Sequence, residues 1–112
     1  MKTVIMNLRP GPLAKIKSGT KVYELRLYDD KRRTIAVGDE IVFNAGDDVC
    51  RVQVTGLVIA PTFRDLFDII PMNLCGYVDG DGYTAEHNGM DEFYPVSEQL
   101  KQAVVAIRVK RK

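Results

Sequence analysis

The chain has no tryptophan, two cysteines, one histidine and almost no net charge, and each scarcity removes a class of function. Cys50 and Cys75 lie far apart with no C-x-x-C, and His87 is the one imidazole. Neither a zinc-ligand set nor a disulfide framework is signalled, so two reduced, buried thiols are expected. Sixteen basic and fifteen acidic side chains leave a formal charge of +1. No global field attracts nucleic acid, a membrane or an acidic substrate, and any polyanion must be held locally. The apolar stretch at the amino terminus is broken by Asn7 and Arg9. It is too short for a signal-peptide core or a bilayer span, which points to a cytoplasmic protein without a membrane partner. No G-x-S-x-G, P-loop, G-x-G-x-x-G or H-E-x-x-H occurs, which removes the commonest hydrolase, nucleotide, dinucleotide and zinc-protease chemistries. No cofactor or metal is expected.

What is present suits one small domain over residues 1–112, with 46% hydrophobic residues to build a single core. Thr3 to Leu8 reads as a strand, and Arg9-Pro10-Gly11-Pro12 turns the chain into a short helix with Pro12 in its first turn. Gly19 is placed to end that helix in a left-handed conformation. Val37-Gly38-Asp39-Glu40 is a tight turn before the strand Ile41 to Phe43, and Gly46-Asp47-Asp48 connects to a long strand, Val49 to Ile59, of period two. Thr62 begins a capping box with Asp65, and Phe63, Leu66, Phe67 and Ile70 follow at helical spacing until Pro71. Ser97 is placed to cap a brief helix through Lys101, and Val104 to Val109 forms a last strand with Arg108 opposite in direction to Ile107. Strands outnumber helices, so the expected fold is α+β, a curved, mainly antiparallel sheet with two or three short helices.

Two tempting signals fail. Asp79-Gly80-Asp81-Gly82 resembles part of a calcium loop, but with Gly82 as the sixth residue the first and twelfth ligands would be Tyr77 and Asn88, neither of which fits. His87 beside Glu86 has the chemistry of a general base, yet its glycine- and aspartate-rich setting, Asn73 to Asn88, is that of a solvated loop. A loop of this length in a compact domain is expected to be functional.

The strand from Lys21 to Leu27 is the candidate site. Tyr23, Leu25 and Leu27 share one face, which packs; Glu24 and Arg26 share the other with Val22 and Tyr28. Lys21 reaches the same pair from the strand's end, so two cations and a carboxylate converge. The polar run Tyr28 to Arg33 is expected to lean back over this face, adding Lys31, Arg32 and Arg33. Lys21 and Arg26 can hold a phosphate or base carbonyl, Glu24 can accept from an exocyclic amine, and Tyr23, Tyr28, Phe93 or Tyr94 can supply a stacking face. The same trio can serve a small metal-independent hydrolase with Glu24 as general base and Lys21 or Arg26 stabilising an oxyanion. It can also be an inert ion-pair cluster in a structural or interaction module.

The run Ile16 to Leu27 with its G-x-K-x-x-E-x-R, the Asp30 to Arg33 turn, the Val37-Gly38-Asp39 turn, Leu74-Cys75-Gly76 and the closing Val104 to Ile107 strand together resemble the ASCH domain. The resemblance implies a PUA-like β-barrel with helices closing its ends and a cleft lined by the charged strand. It also implies an association with RNA or a modified nucleoside. Some members are ribonuclease-like, and small bacterial members hydrolyse the amide of N4-acetylcytidine with a Lys, a Thr three residues later and a distant Glu. Lys21 matches the Lys, Glu24 stands where the Thr would be, and Glu86 and Glu92 are the candidates for the distant Glu.

Overall fold

The computed structural model describes every residue from Met1 to Lys112. Five strands, β1 (Thr3–Asn7), β2 (Tyr23–Leu27), β3 (Glu40–Ala45), β4 (Asp48–Ala60) and β5 (Val104–Arg111), form one sheet in the order β1-β3-β4-β5-β2. β1 runs parallel to β3 and all other neighbours are antiparallel. The long β4 pairs with β3 through its first half and with β5 through most of its length, and a register shift between Val54 and Gly56 bends it. The sheet curls into a half-barrel, the α+β architecture expected.

Alternation along the strands feeds two cores. Val105, Ile107 and Val109 of β5 join Met6, Ile41, Phe43, Val52 and Val54 on one face, whereas Val104 and Ala106 join Leu25 on the other. Helix α1 (Pro10–Ser18) covers the first face with Leu13 and Ile16. Its prolines fall in the first turn and Gly19 ends it at φ 83°, as a left-handed cap does without steric cost. Helix α3 (Phe63–Phe67) covers the second face; Thr62 accepts from the Asp65 amide, and Phe63 and Leu66 are fully buried, each contributing roughly 1.5–3 kcal/mol.

Three short α-helices, α2 (Asp30–Arg33), α4 (Met90–Phe93) and α5 (Val96–Gln102), and a 3₁₀ turn, Met72–Cys75, complete the chain. Runs of four residues carry too little periodicity to be read from sequence. Ser97 does not cap α5. Pro95 holds the N-cap position, with no side-chain cap, and its carbonyl accepts from the amides of Glu98 and Gln99. A further difference concerns the seam of the half-barrel: β1 and β2 are the two edge strands and do not pair. Two cations reach the β1 edge instead, one from β2 and one from α2. Arg26 Nη2 donates to the Asn7 carbonyl at 2.7 Å and Lys31 Nζ to the Ile5 carbonyl at 3.0 Å, satisfying backbone acceptors that an open edge leaves bare. No helix is long and apolar enough to cross a membrane.

Candidate functional site

Beside this seam lies an open cavity of about 690 Å³, inside the range of roughly 300–1,000 Å³ typical of small-molecule sites. Its floor is the charged strand. Glu24 and Lys21 are 4% and 8% exposed, and burial of this depth requires that every charge be answered. Lys21 Nζ lies 3.2 Å from Glu24 Oε1 and donates to the Cys75 carbonyl at 3.1 Å. Arg26 donates from Nε and Nη2 to Glu24 Oε2, at 2.9 and 2.8 Å. One carboxylate is therefore clasped by a cation on each oxygen.

Local sequence explains the placement. Gly19 stops α1 so that the backbone of Thr20 and Lys21 can donate to the Lys15 carbonyl, and Val22 N donates to the Leu74 carbonyl. This anchors β2 against the 3₁₀ turn Met72–Cys75. That turn ends at Gly76, φ 97°, where a Cβ would approach Lys21 Cδ to 3.2 Å. Only glycine has both the conformation and the clearance.

The wall beyond Gly76 is aromatic. Tyr77 packs edge-on against Phe67 and Tyr83, with ring centroids 5.4 and 5.3 Å away, and its hydroxyl donates to the Asn88 carbonyl. Asn88, 1% exposed, donates to the Ala85 carbonyl and accepts from the Met90 amide, setting the start of α4. Phe93 and Tyr94 also line the cavity, as do Asp81 and Glu92. The opposite wall is built by Asn7, Arg9 and Lys15, whose Nζ donates to the Gly76 carbonyl at 2.6 Å.

Burial pushes the Cys75 thiol up to about 12, and it pushes the Tyr77 phenol upward too. Both line the cavity as neutral groups at physiological pH, so Cys75 is not an activated nucleophile. No three histidine, cysteine, aspartate or glutamate side chains are grouped so as to hold a metal ion.

Lys21, Glu24, Arg26, Phe93 and Tyr94, singled out from sequence, are thus brought to one cavity. Tyr28, Lys31, Arg32 and Arg33 are not. Lys31 reaches β1, Arg32 pairs with Asp29 at 2.9 Å, and Arg33 lies over the Tyr28 ring at 4.4 Å while donating to the Gln102 carbonyl. The helical turn α2 directs these cations to backbone acceptors and a neighbouring carboxylate, away from the face they were expected to cover. Tyr23 packs on the second core and lies 5.9 Å from Arg108. Of the two distant glutamates, Glu92 lines the cavity, and Glu86 pairs with Arg64 at the surface, 3.1 Å away. Sequence reading missed Asn7, Arg9, Lys15, Tyr77, Tyr83 and Asn88. Their signals were faint: a residue before a proline turn, a helix cation, and aromatics scattered through the Asn73 to Asn88 loop.

The model of the ASCH domain matches residues 6–111. The crystal structure of the hypothetical protein PH0355 superposes with a TM-score of 0.84 at 30% identity over 100% of both chains. The solution structure of protein PF0455 from Pyrococcus furiosus gives 0.71 at 30% identity, over 97% of this chain and 96% of that one. ASCH from Zymomonas mobilis shares the fold at a TM-score of 0.62 and 15% identity, over 96% of this chain and 66% of that one. No curated protein matches. With nearly its whole length inside the family model and full-length likeness at 30% identity, the chain belongs to the ASCH-domain family.

Proposed function

We propose that the cleft binds a nucleobase of single-stranded RNA, or a modified nucleoside, by its hydrogen-bonding edge. The observation that carries this reading is Glu24, held rigidly between two cations at the floor of an open, aromatic-walled cavity. Pairing does not exhaust these groups. Glu24 Oε1 accepts only from Lys21, Lys21 has a third N–H, and Arg26 Nη1 has no protein partner. A carboxylate oxygen beside cationic donors complements an exocyclic amine beside a ring nitrogen or carbonyl, the edge of a cytosine-like base. Tyr77 and Tyr83 offer aromatic surface in the lining of the same cavity, and unstacked single-stranded bases are the form in which RNA is read at base edges. ASCH domains have a PUA-like fold often used for RNA binding, which agrees with this reading.

Retention of a ligand is favoured over hydrolysis through a hydroxyl, because Glu24 stands where the amidohydrolases carry Thr and no serine or threonine lines the cavity. The test is calorimetric titration with cytidine, uridine and N4-acetylcytidine, with product analysis of the last. Saturable binding of a cytidine, weakened at least tenfold in Glu24→Gln, is expected. Binding of none of the three, or equal binding by the variant, refutes the reading. Release of acetate from N4-acetylcytidine, abolished in Lys21→Ala, would replace it with the hydrolase.

A further inference from the structure

At the mouth of the cleft, Arg9 and Phe93 face each other from opposite walls, the guanidinium carbon 5.0 Å from the ring centroid. Neither side chain is buried in a core or held by a polar bond where it stands. Phe93 is 58% exposed and belongs to neither core. Arg9 is exposed, and its guanidinium makes no ion pair and no hydrogen bond; the ring is its sole partner. A large exposed aromatic and five unpaired donors at the rim of a polar cavity are the two surfaces on which single-stranded bases stack.

The two walls differ in stiffness. Phe93 sits in α4, whose flanks are tied down by the fully buried Gln99: its amide nitrogen donates to Asp91 Oδ1 at 2.6 Å and to the Tyr94 carbonyl at 2.7 Å, and its oxygen accepts from the Phe63 amide at 2.9 Å. Arg9 is a long side chain at the N-cap of α1, free to swing. The ring is a fixed platform and the guanidinium a movable cover.

Resting on the reading of the floor given above, we propose that Arg9 and Phe93 form a second subsite: the 5.0 Å contact leaves no room between them, so Arg9 swings off the ring and closes again over the base adjoining the one read by Glu24, making a slot with Phe93 as its platform. The preferred ligand is then an RNA strand of at least two nucleotides rather than a free nucleoside. Depth separates the two positions, since Glu24 is 4% exposed at the floor and Phe93 58% at the rim of one cavity. A single base at the floor leaves Arg9 on the ring. Lys15, on the same wall as Arg9, supplies a cation for the linking phosphate.

Calorimetric titration of the wild type, Arg9→Ala and Phe93→Ala with cytidine and with cytidylyl-(3′→5′)-adenosine tests the slot. Both positions are exposed, and circular dichroism establishes that the variants are folded. The wild type is expected to bind the dinucleotide about tenfold or more tightly than cytidine, the worth of one stacked base. In each variant the ratio is expected to fall to within about twofold, with Phe93→Trp restoring it. Equal wild-type affinities, or an undiminished ratio in both variants, overturn the slot while leaving the floor reading intact. Binding of neither ligand by the wild type overturns both.

Discussion

A Cβ on Gly76 would stand 3.2 Å from Lys21 Cδ, so a side chain on the residue that ends the 3₁₀ turn would crowd the stem that carries the buried ammonium. Gly76→Ala adds left-handed strain at φ 97° to this contact. A loss of about 1–3 kcal/mol is expected in urea denaturation, together with weaker cytidine binding. Unchanged stability would mean that the turn relaxes without cost.

The clasp around Glu24 predicts a non-additive set of variants. Glu24→Ala strands two cations, one of them deeply buried, and is expected to cost about 3–5 kcal/mol. The triple replacement Lys21→Met, Glu24→Leu, Arg26→Met removes all three charges and is expected to cost much less. Urea denaturation of both decides the point; a triple variant less stable than Glu24→Ala would contradict the desolvation account.

Asp39 confers an acid dependence on the fold. Its buried carboxylate accepts from the Ala36 amide at 2.9 Å and the Lys2 amide at 3.1 Å and pairs with Lys2 Nζ, and these bonds, that to Ala36 first, lower its pKa to about 2 from 3.8. A carboxyl depressed by folding contributes stability that is complete above its unfolded value and is lost as pH falls through the folded one. The melting temperature is therefore expected to fall between about pH 4 and pH 2, and Asp39→Asn should flatten that part of the profile. An equally steep descent in the variant would assign the dependence elsewhere.

Ala103, joining α5 to β5, lies at φ 65° and ψ 178°, a region essentially reserved for glycine. Ala103→Gly is expected to gain about 1 kcal/mol net of the extra unfolded-state freedom of glycine, read as a rise in melting temperature. A lower melting temperature would show that the alanine methyl is held by packing worth more than the strain.

Gln99 is a different kind of buried group, since both ends of its amide are used. Gln99→Leu leaves the Phe63 amide and the Tyr94 carbonyl without their partner and should cost about 2–4 kcal/mol. Protease sensitivity near α4 should rise with it. Resistance equal to the wild type would show that α4 is held by other contacts.

Local chemistry made much of this legible. The period of two in β4, the Gly19 cap, the Thr62 cap and the meeting of Lys21, Glu24 and Arg26 each depend on residues close in sequence, where geometry follows from spacing. The parallel pairing of β1 with β3 joins segments more than thirty residues apart and leaves no periodic trace. Because that pairing decides which strands become edges, it also hid the second task of Arg26. The cations of α2 were misplaced for a related reason: a one-turn helix rotates successive side chains by about 100°, so Lys31, Arg32 and Arg33 cannot share a face as they would in a loop leaning one way. Of the aromatic wall, Phe93 and Tyr94 were singled out, whereas Tyr77 and Tyr83 were not, for want of any pattern in the turns that place them.

The unpaired seam between β1 and β2 gives the domain an unusual freedom. Where a ladder would fix the gap at one strand spacing, two cationic side chains set it here, and side chains can lengthen, shorten or let go. The spacing of these two edges is thus a property of positions 26 and 31, open to adjustment one residue at a time without rethreading a single strand.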